Sequence, residues 1–354
     1  MLNMTYLLKF RSLSLVLIFL MVNHLGFAQE KVAYKIACVG FYNLENLFDT
    51  EDDTKINDED FLPTGSYVWD STKYANKLNN MSAVIADLAT DVTPDGVALL
   101  GVCEVENKKV LEDLVAMPKL AARKYQIVHY DSPDKRGIDV GLLYQEKYFK
   151  VKKSVSYRLV FSSDPDYRTR DQLIVTGDMD GEEVSVIVGH WPSRSGGQSA
   201  SEPRRIDAAI LGRKIIDSLL TANPKAKIIL MGDLNDDPVN KSVSEYIRAK
   251  GKIEKMKSGD MYNVMYNHFK SGNGTLAWND AWNLFDQIIV SEALVSKDAS
   301  TYVFHKAVVY NKDYIKQHGG NYNGYPLRTH AGGVYLNGYS DHFPVYMILK
   351  KEVK

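Results

Sequence analysis

The segment KIACVGFYNLEN, residues 35–46, joins a strongly apolar run to two polar side chains, Asn43 and Glu45. Short apolar runs rich in Val, Ile and aromatic residues, bounded by turn residues, are typical of buried β-strands. The same arrangement recurs along the chain, so that polar side chains repeatedly stand at one end of an apolar run. The other examples are Glu104 after VALLGVC, His190 after VSVIVG, Asp233 and Asn235 after KIILMG, Asp286 at the start of DQIIV, and Asp341 with His342 at the start of DHFPVYMIL.

These run ends carry carboxylates, amides and imidazoles, which are side chains that bind divalent cations and act in hydrolysis. A single acidic residue at a strand end is ordinarily a cap or a turn residue. Because the pattern recurs in six places along the chain, loop composition alone does not explain it. The pattern predicts a metal-dependent hydrolase.

The chain has 354 residues, which is long enough to bury the core of one large α/β domain. We find no internal repeat or low-complexity linker, so the sequence predicts one domain over residues 29–354. The net charge of −1 gives no basic footprint of the kind that tight binding to duplex nucleic acid requires. An acidic site of this kind fits a charged substrate only if divalent ions offset its charge.

Residues 1–28 have the pattern of a cleavable secretory signal peptide. Two basic residues precede the apolar run 13–22, and the short stretch 26–28 leads into Gln29. A membrane anchor, the alternative, needs about 20 apolar residues, and polar residues interrupt this run earlier. We therefore expect a secreted or periplasmic protein that begins near Gln29 and has no stable membrane insertion after cleavage.

The only two cysteines, Cys38 and Cys103, lie inside apolar runs. Buried core thiols are favoured, and a disulfide between neighbouring strands is the alternative in an oxidising compartment. Their pairing depends on strand geometry, which sequence spacing does not give.

Strand-like runs alternate with helical ones, which favours an α/β protein. Residues 73–88 place apolar side chains at helical spacing, and residues 108–117 and 204–220 have similar periodicity. The runs IDVGLLY, RDQLIVTGD and EEVSVIVGH predict strands, the last two joined by a hairpin turn at Asp178–Gly181. Long irregular stretches, which often carry substrate recognition, are predicted at 49–70, 256–284 and 311–340.

Taken in chain order, six motifs resemble those of the endonuclease/exonuclease/phosphatase superfamily. They are FYNLEN, GVCEVEN, GHWPSR, GDLND, FDQIIVS and SDHFPV, and the resemblance spans residues 36–349. GDLN and SDH are weak motifs alone, and the order of all six makes the resemblance specific. It implies the family's α/β fold, a four-layer α/β sandwich of two mixed β-sheets packed face to face and flanked by helices.

The resemblance also implies roles for individual residues. Asp233 matches a water-orienting base and Asn235 a phosphate-binding amide, while Asp286 matches the carboxylate that orients the His342 imidazole. His190 matches a second histidine of the deoxyribonuclease-like branch. The full expected site consists of the catalytic residues His190, Asp233, Asn235, Asp286 and His342, the substrate-binding residues Asn43, Arg170 and Arg194, and the metal ligands Glu45, Glu104 and Asp341.

The two arginines carry different arguments. Arg170 aligns with a family position that faces the phosphate, with Arg168 as the alternative. Arg194 follows His190 in a Ser- and Gly-rich loop, where a planar guanidinium is suited to grip phosphate with two hydrogen bonds. A solvent-facing arginine is the alternative at that position.

The expected activity is that of a secreted, divalent-metal-dependent phosphodiester hydrolase, first of all a nuclease acting on DNA or RNA. Mg²⁺ is the first expected ion, with Mn²⁺ or Ca²⁺ as alternatives, because carboxylate ligands and a charged phosphorus centre suit hard cations. The alternatives are a phosphatase or phosphodiesterase acting on a lipid headgroup, an inositol phosphate or another small phosphoester, and a catalytically inactive binding module. The sequence leaves open the mode of cleavage, the number of metals and the oligomeric state.

Overall fold

The structure is a computed structural model that describes residues 33–353. The predicted signal peptide, residues 1–28, lies outside this range. Within the described range, no helix is both long enough and apolar enough to cross a membrane.

Two mixed β-sheets form the centre of the molecule. Their strands are β1 Tyr34–Leu47, β2 Val97–Val105, β3 Tyr125–His129, β4 Asp139–Gln145, β5 Lys150–Tyr157, β6 Gln172–Met179, β7 Glu182–His190, β8 Lys227–Asp233, β9 Ala249–Lys250, β10 Met261–Asn263, β13 Asp286–Ser291, β14 Val303–Val309 and β17 Val345–Glu352. The first sheet has six strands in the order β14-β17-β1-β2-β4-β3. The second sheet has seven strands in the order β5-β6-β7-β8-β13-β10-β9. Two small hairpins lie outside these sheets and consist of β11 Leu276–Trp278 with β12 Ala281–Asn283 and β15 His330–Ala331 with β16 Val334–Tyr335.

Helices cover the outer faces of both sheets. The α-helices are α1 Ser71–Asp87, α2 Lys108–Ala116, α3 Pro118–Ala121, α4 Gln198–Ala222 and α5 Tyr266–Lys270. Short 3-10 turns occur at Glu59–Phe61, Ile253–Lys255, Glu292–Val295, Asp313–Ile315 and Gly320–Tyr322, and a π-helical turn at Ser242–Tyr246.

Side-chain alternation along β8 divides the core into two clusters. Ile229 and Met231 belong to the larger cluster, which also holds residues of the first sheet and of α1. Ile228 and Leu230 belong to the smaller cluster, which contains side chains of α4. Successive strand residues point to opposite faces, so the second sheet packs against the first sheet on one face and against α4 on the other. The predicted four-layer α/β sandwich is confirmed.

Local sequence signals explain where several elements begin. The Asp70 side chain accepts a hydrogen bond from the backbone N–H of Lys73 and caps α1, close to the predicted start at residue 73. The hairpin between β6 and β7 turns through Asp180 and Gly181, both with positive φ, as a tight two-residue turn requires. The helix predicted at 204–220 is also present and begins earlier, at Gln198.

The two cysteines are free thiols, and both are buried. In the parallel pairing of β1 with β2, Cys38 lies opposite Val97 while Cys103 lies opposite Asn43. The two side chains therefore sit at different levels of the sheet, so the favoured buried-thiol interpretation is confirmed.

Candidate active site

Three neighbouring strands of the second sheet bring three candidate residues into one row. His190 at the end of β7 pairs with Asp233 at the end of β8, and Asp286 at the start of β13 pairs with Asp233 from the other side. One level below, a Cβ on Gly232 would stand 2.2 Å from the carbonyl oxygen of Gly189. The close approach of the two strands at this point therefore requires glycine at position 232.

The first sheet contributes Asn43 and Glu104 from the ends of β1 and β2. The Asn43 amide Nδ2 donates to Glu104 Oε1 at 3.2 Å and to Asp233 Oδ2 at 3.1 Å. Glu104 has a φ of 57° and lies where the β2–β4 register shifts. Strained, irregular backbone of this kind concentrates at functional sites, and here it directs the Glu104 side chain toward the second sheet.

His342 completes the centre from the loop before β17. Its Nδ1 is 2.7 Å from Asp286 Oδ2, and its Nε2 is 3.8 Å from Asp233 Oδ2. On the opposite side, His190 Nε2 is 3.7 Å from the same Asp233 oxygen and 3.7 Å from Glu104 Oε1. Both imidazoles are almost fully buried. The ligand atoms of Asp233, Asp286 and His342 lie within 4.8 Å of one another.

The two histidines experience opposite electrostatic environments. Burial lowers the pKa of His190 well below its ordinary value, and the charges of Arg170, Arg136 and His342 lower it further. Burial alone would also lower the pKa of His342, but the carboxylates of Asp286, Asp233 and Asp341 raise it well above its ordinary value. His190 is therefore neutral and His342 is charged near neutral pH.

Burial raises the pKa of Asp233, and the nearby charges of Asp286 and Glu104 act in the same direction while His342 opposes them. The Asp233 Oδ1 atom accepts a hydrogen bond from the backbone N–H of Asn235, at 3.0 Å. The Asn235 amide in turn donates to the carbonyl oxygen of Trp191 at 3.0 Å. Asp233 is thus a buried carboxylate held in a fixed orientation.

The surroundings of Glu104 suit a divalent cation. Its carboxylate accepts hydrogen bonds from Asn43 Nδ2 and from the backbone N–H of Asn46, and its side chain keeps 16% exposure. Hard oxygen donors with access to solvent are the ligand type that Mg²⁺ binds while it retains waters. Glu104 is therefore a candidate carboxylate for a metal ion, whereas the Asn43 oxygen Oδ1 already accepts the backbone N–H of Glu45 at 2.9 Å.

The other two predicted metal ligands have protein partners. Glu45 Oε2 accepts the backbone N–H of Thr329 at 2.6 Å and lies 3.6 Å from the Lys77 ammonium. Asp341 lies 3.3 Å from Arg328 Nη2. In the described part of the chain, the ligand atoms of Glu45, Glu104 and Asp341 do not all come within 4.8 Å of one another. Their joint ligation of one ion stays a prediction.

The two predicted phosphate-binding arginines are engaged within the protein. Arg170 donates to Asp134 Oδ2 at 3.2 Å and to the carbonyl oxygen of Trp191 at 2.8 Å, so it supports the strand end that carries His190. Arg168, the alternative, is more exposed and donates to the carbonyl oxygen of Pro165.

Arg194 stacks on the Phe285 ring, 4.3 Å from the ring centroid, and its donors face oxygens of the loop that follows Asp233 and of β12. These oxygens belong to Asn235, Asp236, Asp237, Asn240 and Asn283. The Arg194 side chain is 26% exposed and already has these acceptors, so its contact with phosphate stays a prediction. Its contacts hold the loop that carries Asn235.

Several contributing residues were not anticipated from the sequence. Lys77 and Thr329 hold Glu45, Ser340 donates its hydroxyl to the carbonyl oxygen of Asn43 at 2.7 Å, and Arg205 lies 2.8 Å from Asp236. Lys77 and Ser340 left signals, because Lys77 lies four residues before Met81 on the helix face predicted to be buried and Ser340 opens the SDHFPV motif. The others act through contacts between segments distant in the sequence.

Comparisons with known proteins agree with this geometry. The sequence profile described as Endonuclease/Exonuclease/phosphatase family matches residues 38–351. A protein of that family from Bacteroides thetaiotaomicron shares 16% identity at a TM-score of 0.54, with 91% of this chain and 98% of that chain covered. A mannosyl-6-phosphatase from the same organism shares 17% identity at a TM-score of 0.53, with 88% and 99% covered.

The structure of D. rerio TDP2 complexed with single-strand DNA product shares 12% identity at a TM-score of 0.54, with 89% of this chain and 99% of that chain covered. At these identities the structural likeness shows the fold alone. The comparison with curated proteins gave no match.

Proposed function

Because the chain belongs to the endonuclease/exonuclease/phosphatase family, we propose that it is a divalent-metal-dependent phosphodiester hydrolase, and specifically a nuclease that cleaves DNA or RNA. The observation that carries the proposal is the grouping around Asp233. Its Oδ2 atom lies within 3.8 Å of the Nε2 atoms of both His190 and His342. A base, a charged imidazole and a metal-binding carboxylate at one point fit hydrolysis at phosphorus.

Each side chain has a role that follows from its environment. Glu104 would hold a divalent ion, which would supply neutralisation of the phosphate charge and stabilisation of the leaving oxygen. Asp233 orients the attacking water and accepts its proton, for which a raised carboxyl pKa is favourable. His342 presents its Nε2–H to a phosphate oxygen, because Asp286 holds the opposite ring nitrogen. The Asn235 amide donates one N–H to the Trp191 carbonyl and has a second N–H for the phosphate.

A row of aromatic rings beside His342 supports nucleic acid as the substrate. Phe343 stacks on Trp282 at 6.0 Å between ring centroids, Trp282 contacts Tyr325 at 5.6 Å, and Tyr325 contacts Tyr322 at 5.6 Å. Phe343 at the inner end is 1% exposed, Trp282 is 38% exposed and Tyr322 at the outer end is 64% exposed, whereas Tyr325 between Trp282 and Tyr322 is partly buried. Aromatic faces that lead outward from a phosphate site suit successive bases of a single strand.

We further propose that the protein acts outside the cytoplasm, as a secreted or periplasmic enzyme. The support is the signal-peptide pattern of residues 1–28. An extracytoplasmic nuclease meets nucleic acid as free polymer, which agrees with a site lined by stacking surfaces rather than by a basic duplex-binding groove.

The test is a substrate panel with purified protein that begins at Gln29. Plasmid DNA, single-stranded DNA, RNA, sphingomyelin and inositol phosphates are each incubated with Mg²⁺, and Asp233→Asn serves as the inactive control. We expect cleavage of at least one nucleic acid, with single strands preferred, and no cleavage by the control.

Hydrolysis confined to the lipid or to the inositol phosphates would replace the nuclease proposal by a small-phosphoester hydrolase. Absence of activity on every substrate, from folded protein supplied with metal, would overturn the hydrolase proposal itself.

A further inference from the structure

Arg205 is an arginine whose guanidinium group is enclosed by the protein. It projects from α4, and its side chain is 0% exposed. Its Nε atom lies 2.8 Å from Asp236 Oδ1. Its Nη1 atom donates to Ser201 Oγ at 2.8 Å and to the carbonyl oxygen of Ser193 at 3.3 Å. Its Nη2 atom donates to the carbonyl oxygen and to the side-chain oxygen Oε1 of Gln198, both at 3.1 Å. An arginine has five N–H donors, and here all five face oxygens.

These oxygens belong to α4 and to two loops that begin at the ends of neighbouring strands. Ser193 follows His190, the last residue of β7. Asp236 follows Asp233, the last residue of β8. The two strands are paired in parallel, with His190 opposite Asp233. One side chain therefore fastens both loops to the helix, close to the point where the catalytic residues lie.

Asp236 extends these contacts across the second sheet. Its side chain is also 0% exposed, and its Oδ2 atom accepts the hydroxyl of Ser242 at 2.6 Å. Its carbonyl oxygen accepts the Gln287 amide Nε2 at 2.5 Å, and Gln287 comes directly after Asp286 on β13. The Arg205–Asp236 pair is thus connected to the ends of β7, β8 and β13.

Asn235 lies between the two loops that Arg205 joins. Its φ is 50°, a sparsely populated backbone conformation that persists where the surrounding structure imposes it. Its amide Nδ2 belongs to the loop after Asp233 and donates to the carbonyl oxygen of Trp191, in the loop after His190, at 3.0 Å. The direction of this amide therefore depends on the spacing of the two loops.

We propose that Arg205 is a positioning residue, which fixes the loop after His190 against the loop after Asp233 and so directs the Asn235 amide toward the phosphate. The inference rests on the proposed function, in which Asn235 binds that phosphate, and it adds a residue that touches no substrate. The planar guanidinium suits this task because its donors diverge, whereas the three donors of a lysine ammonium radiate from a single nitrogen atom.

Arg205→Lys tests the role, because it keeps the positive charge beside Asp236 and removes the planar group that reaches both loops. Misplacement of a catalytic group by about 1 Å costs about 10²-fold in rate. The kcat for bis(p-nitrophenyl) phosphate should therefore fall by about 10²-fold, and KM should change much less, because the misplaced amide acts mainly in the transition state.

The matched control is Arg213→Lys on the same helix. Arg213 is 8% exposed, lies 2.5 Å from Asp217 Oδ1, and donates to the carbonyl oxygens of Ile247 at 3.1 Å and Gly259 at 3.0 Å. These carbonyls precede β9 and β10 rather than follow β7 and β8. Arg213→Lys should therefore lower the melting temperature while leaving kcat close to wild type. Equal kcat values in folded Arg205→Lys and Arg213→Lys proteins would overturn the proposal.

A double-variant cycle tests whether Arg205 acts through Asn235. If it does, Arg205→Lys/Asn235→Ala should be no more than about threefold slower than Asn235→Ala alone, since effects that share one route do not add. Losses that multiply in the double variant would contradict this route.

Gln198→Ala provides a milder variant if Arg205→Lys does not fold. It removes one acceptor of the Arg205 guanidinium and keeps the arginine. Asp217→Ala is its control, because it removes an acceptor of Arg213 in the same way. Gln198→Ala should lower kcat by about 10-fold, the scale of one hydrogen bond to a charged group, whereas Asp217→Ala should not. Wild-type kcat in folded Gln198→Ala would overturn the proposal.

Backbone hydrogen exchange, followed by mass spectrometry, separates this proposal from the proposed function. In Arg205→Lys, residues 191–194 and 234–240 should both exchange faster than in the wild type, and in Arg213→Lys they should not. A wild-type chain that cleaves no phosphoester loses the proposed function, and the exchange result then decides alone whether Arg205 holds the two loops. An active wild type whose two loops exchange unchanged in Arg205→Lys keeps the function and loses the positioning role.

Discussion

Replacing Asp286 by Asn tests the pair that keeps His342 charged. The substitution keeps the side-chain shape and removes the negative charge 2.7 Å from His342 Nδ1. A hydrogen bond to a charged group contributes about 1.5–3 kcal/mol, and about 1.4 kcal/mol corresponds to a factor of ten in rate. If His342 acts in its charged form, kcat should therefore fall by about 10- to 150-fold, and KM should change much less.

The same substitution should shift the pH dependence. His342 has a raised pKa in the folded protein, so activity that needs the imidazolium persists below that pKa and is lost as pH rises through it. In Asp286→Asn the pKa returns toward or below its ordinary value of about 6.5, so the alkaline limb of the kcat profile should move to lower pH. Stability has the same sign, since the stabilisation from the charged pair is present at low pH and disappears as pH rises through the raised pKa.

The assay is hydrolysis of bis(p-nitrophenyl) phosphate, followed across pH at saturating Mg²⁺. The matched control is Asp139→Asn, which alters a second buried Asp–His pair, with His129 Nε2 3.0 Å from Asp139 Oδ2. The Asp139 carboxylate is held by His129 and Ser132 rather than by a residue of the Asp233 centre, so this variant should keep its pH profile. A folded Asp286→Asn protein with kcat within about twofold of wild type and an unmoved alkaline limb would refute the reasoning.

Three further predictions follow from the sequence and the site. Glu104→Gln should lower turnover by about 10²-fold or more, as for other electrostatic catalytic groups, and full wild-type activity in excess chelator would contradict any metal requirement. His190→Ala and His342→Ala should each lower kcat more than they raise KM. Because both histidines face one phosphoryl group, the loss of activation free energy in the double variant should be smaller than the sum of the two single losses. A stable His190→Ala protein with wild-type kcat would remove His190 from the mechanism. Protein exported by the native host should begin near Gln29, which intact mass spectrometry checks, and an exported chain that retains residues 1–28 would disprove signal cleavage.

Local patterns in the sequence predict the strands and the polar residues at their ends, whereas the sandwich that brings these ends together was implied by the resemblance to the family. Apolar runs define the strands, and the polar residues at their ends meet where paired strands end together, as His190, Asp233 and Asp286 do. The pairing of β7, β8 and β13, which brings these three residues to one edge of the second sheet, is known only from the tertiary structure.

The roles of Glu45 and Arg194 depend on contacts that no local pattern encodes. Lys77 and Thr329 are 252 residues apart in the chain, and Thr329 lies in a stretch without helical or strand periodicity. Arg194 appeared free for phosphate because its sequence neighbours are Ser and Gly, whereas its actual acceptors come from residues 235–240 and 283. The counter-charge of an ionised side chain is a property of the tertiary structure.

The opposite environments of the two histidines argue for a division of labour. Burial, followed by the charges of Arg170 and Arg136, favours the neutral imidazole of His190, which can accept or donate a hydrogen bond. Three carboxylates surround His342 and favour the imidazolium, which can only donate. When the environments of two titratable side chains move their pKa values apart, the difference indicates which one acts as acid and which as base. Asp233 lies between the two imidazoles and contacts both. A proton that Asp233 takes from water is therefore beside the neutral His190 ring, which can accept it, and beside the His342 imidazolium, which cannot.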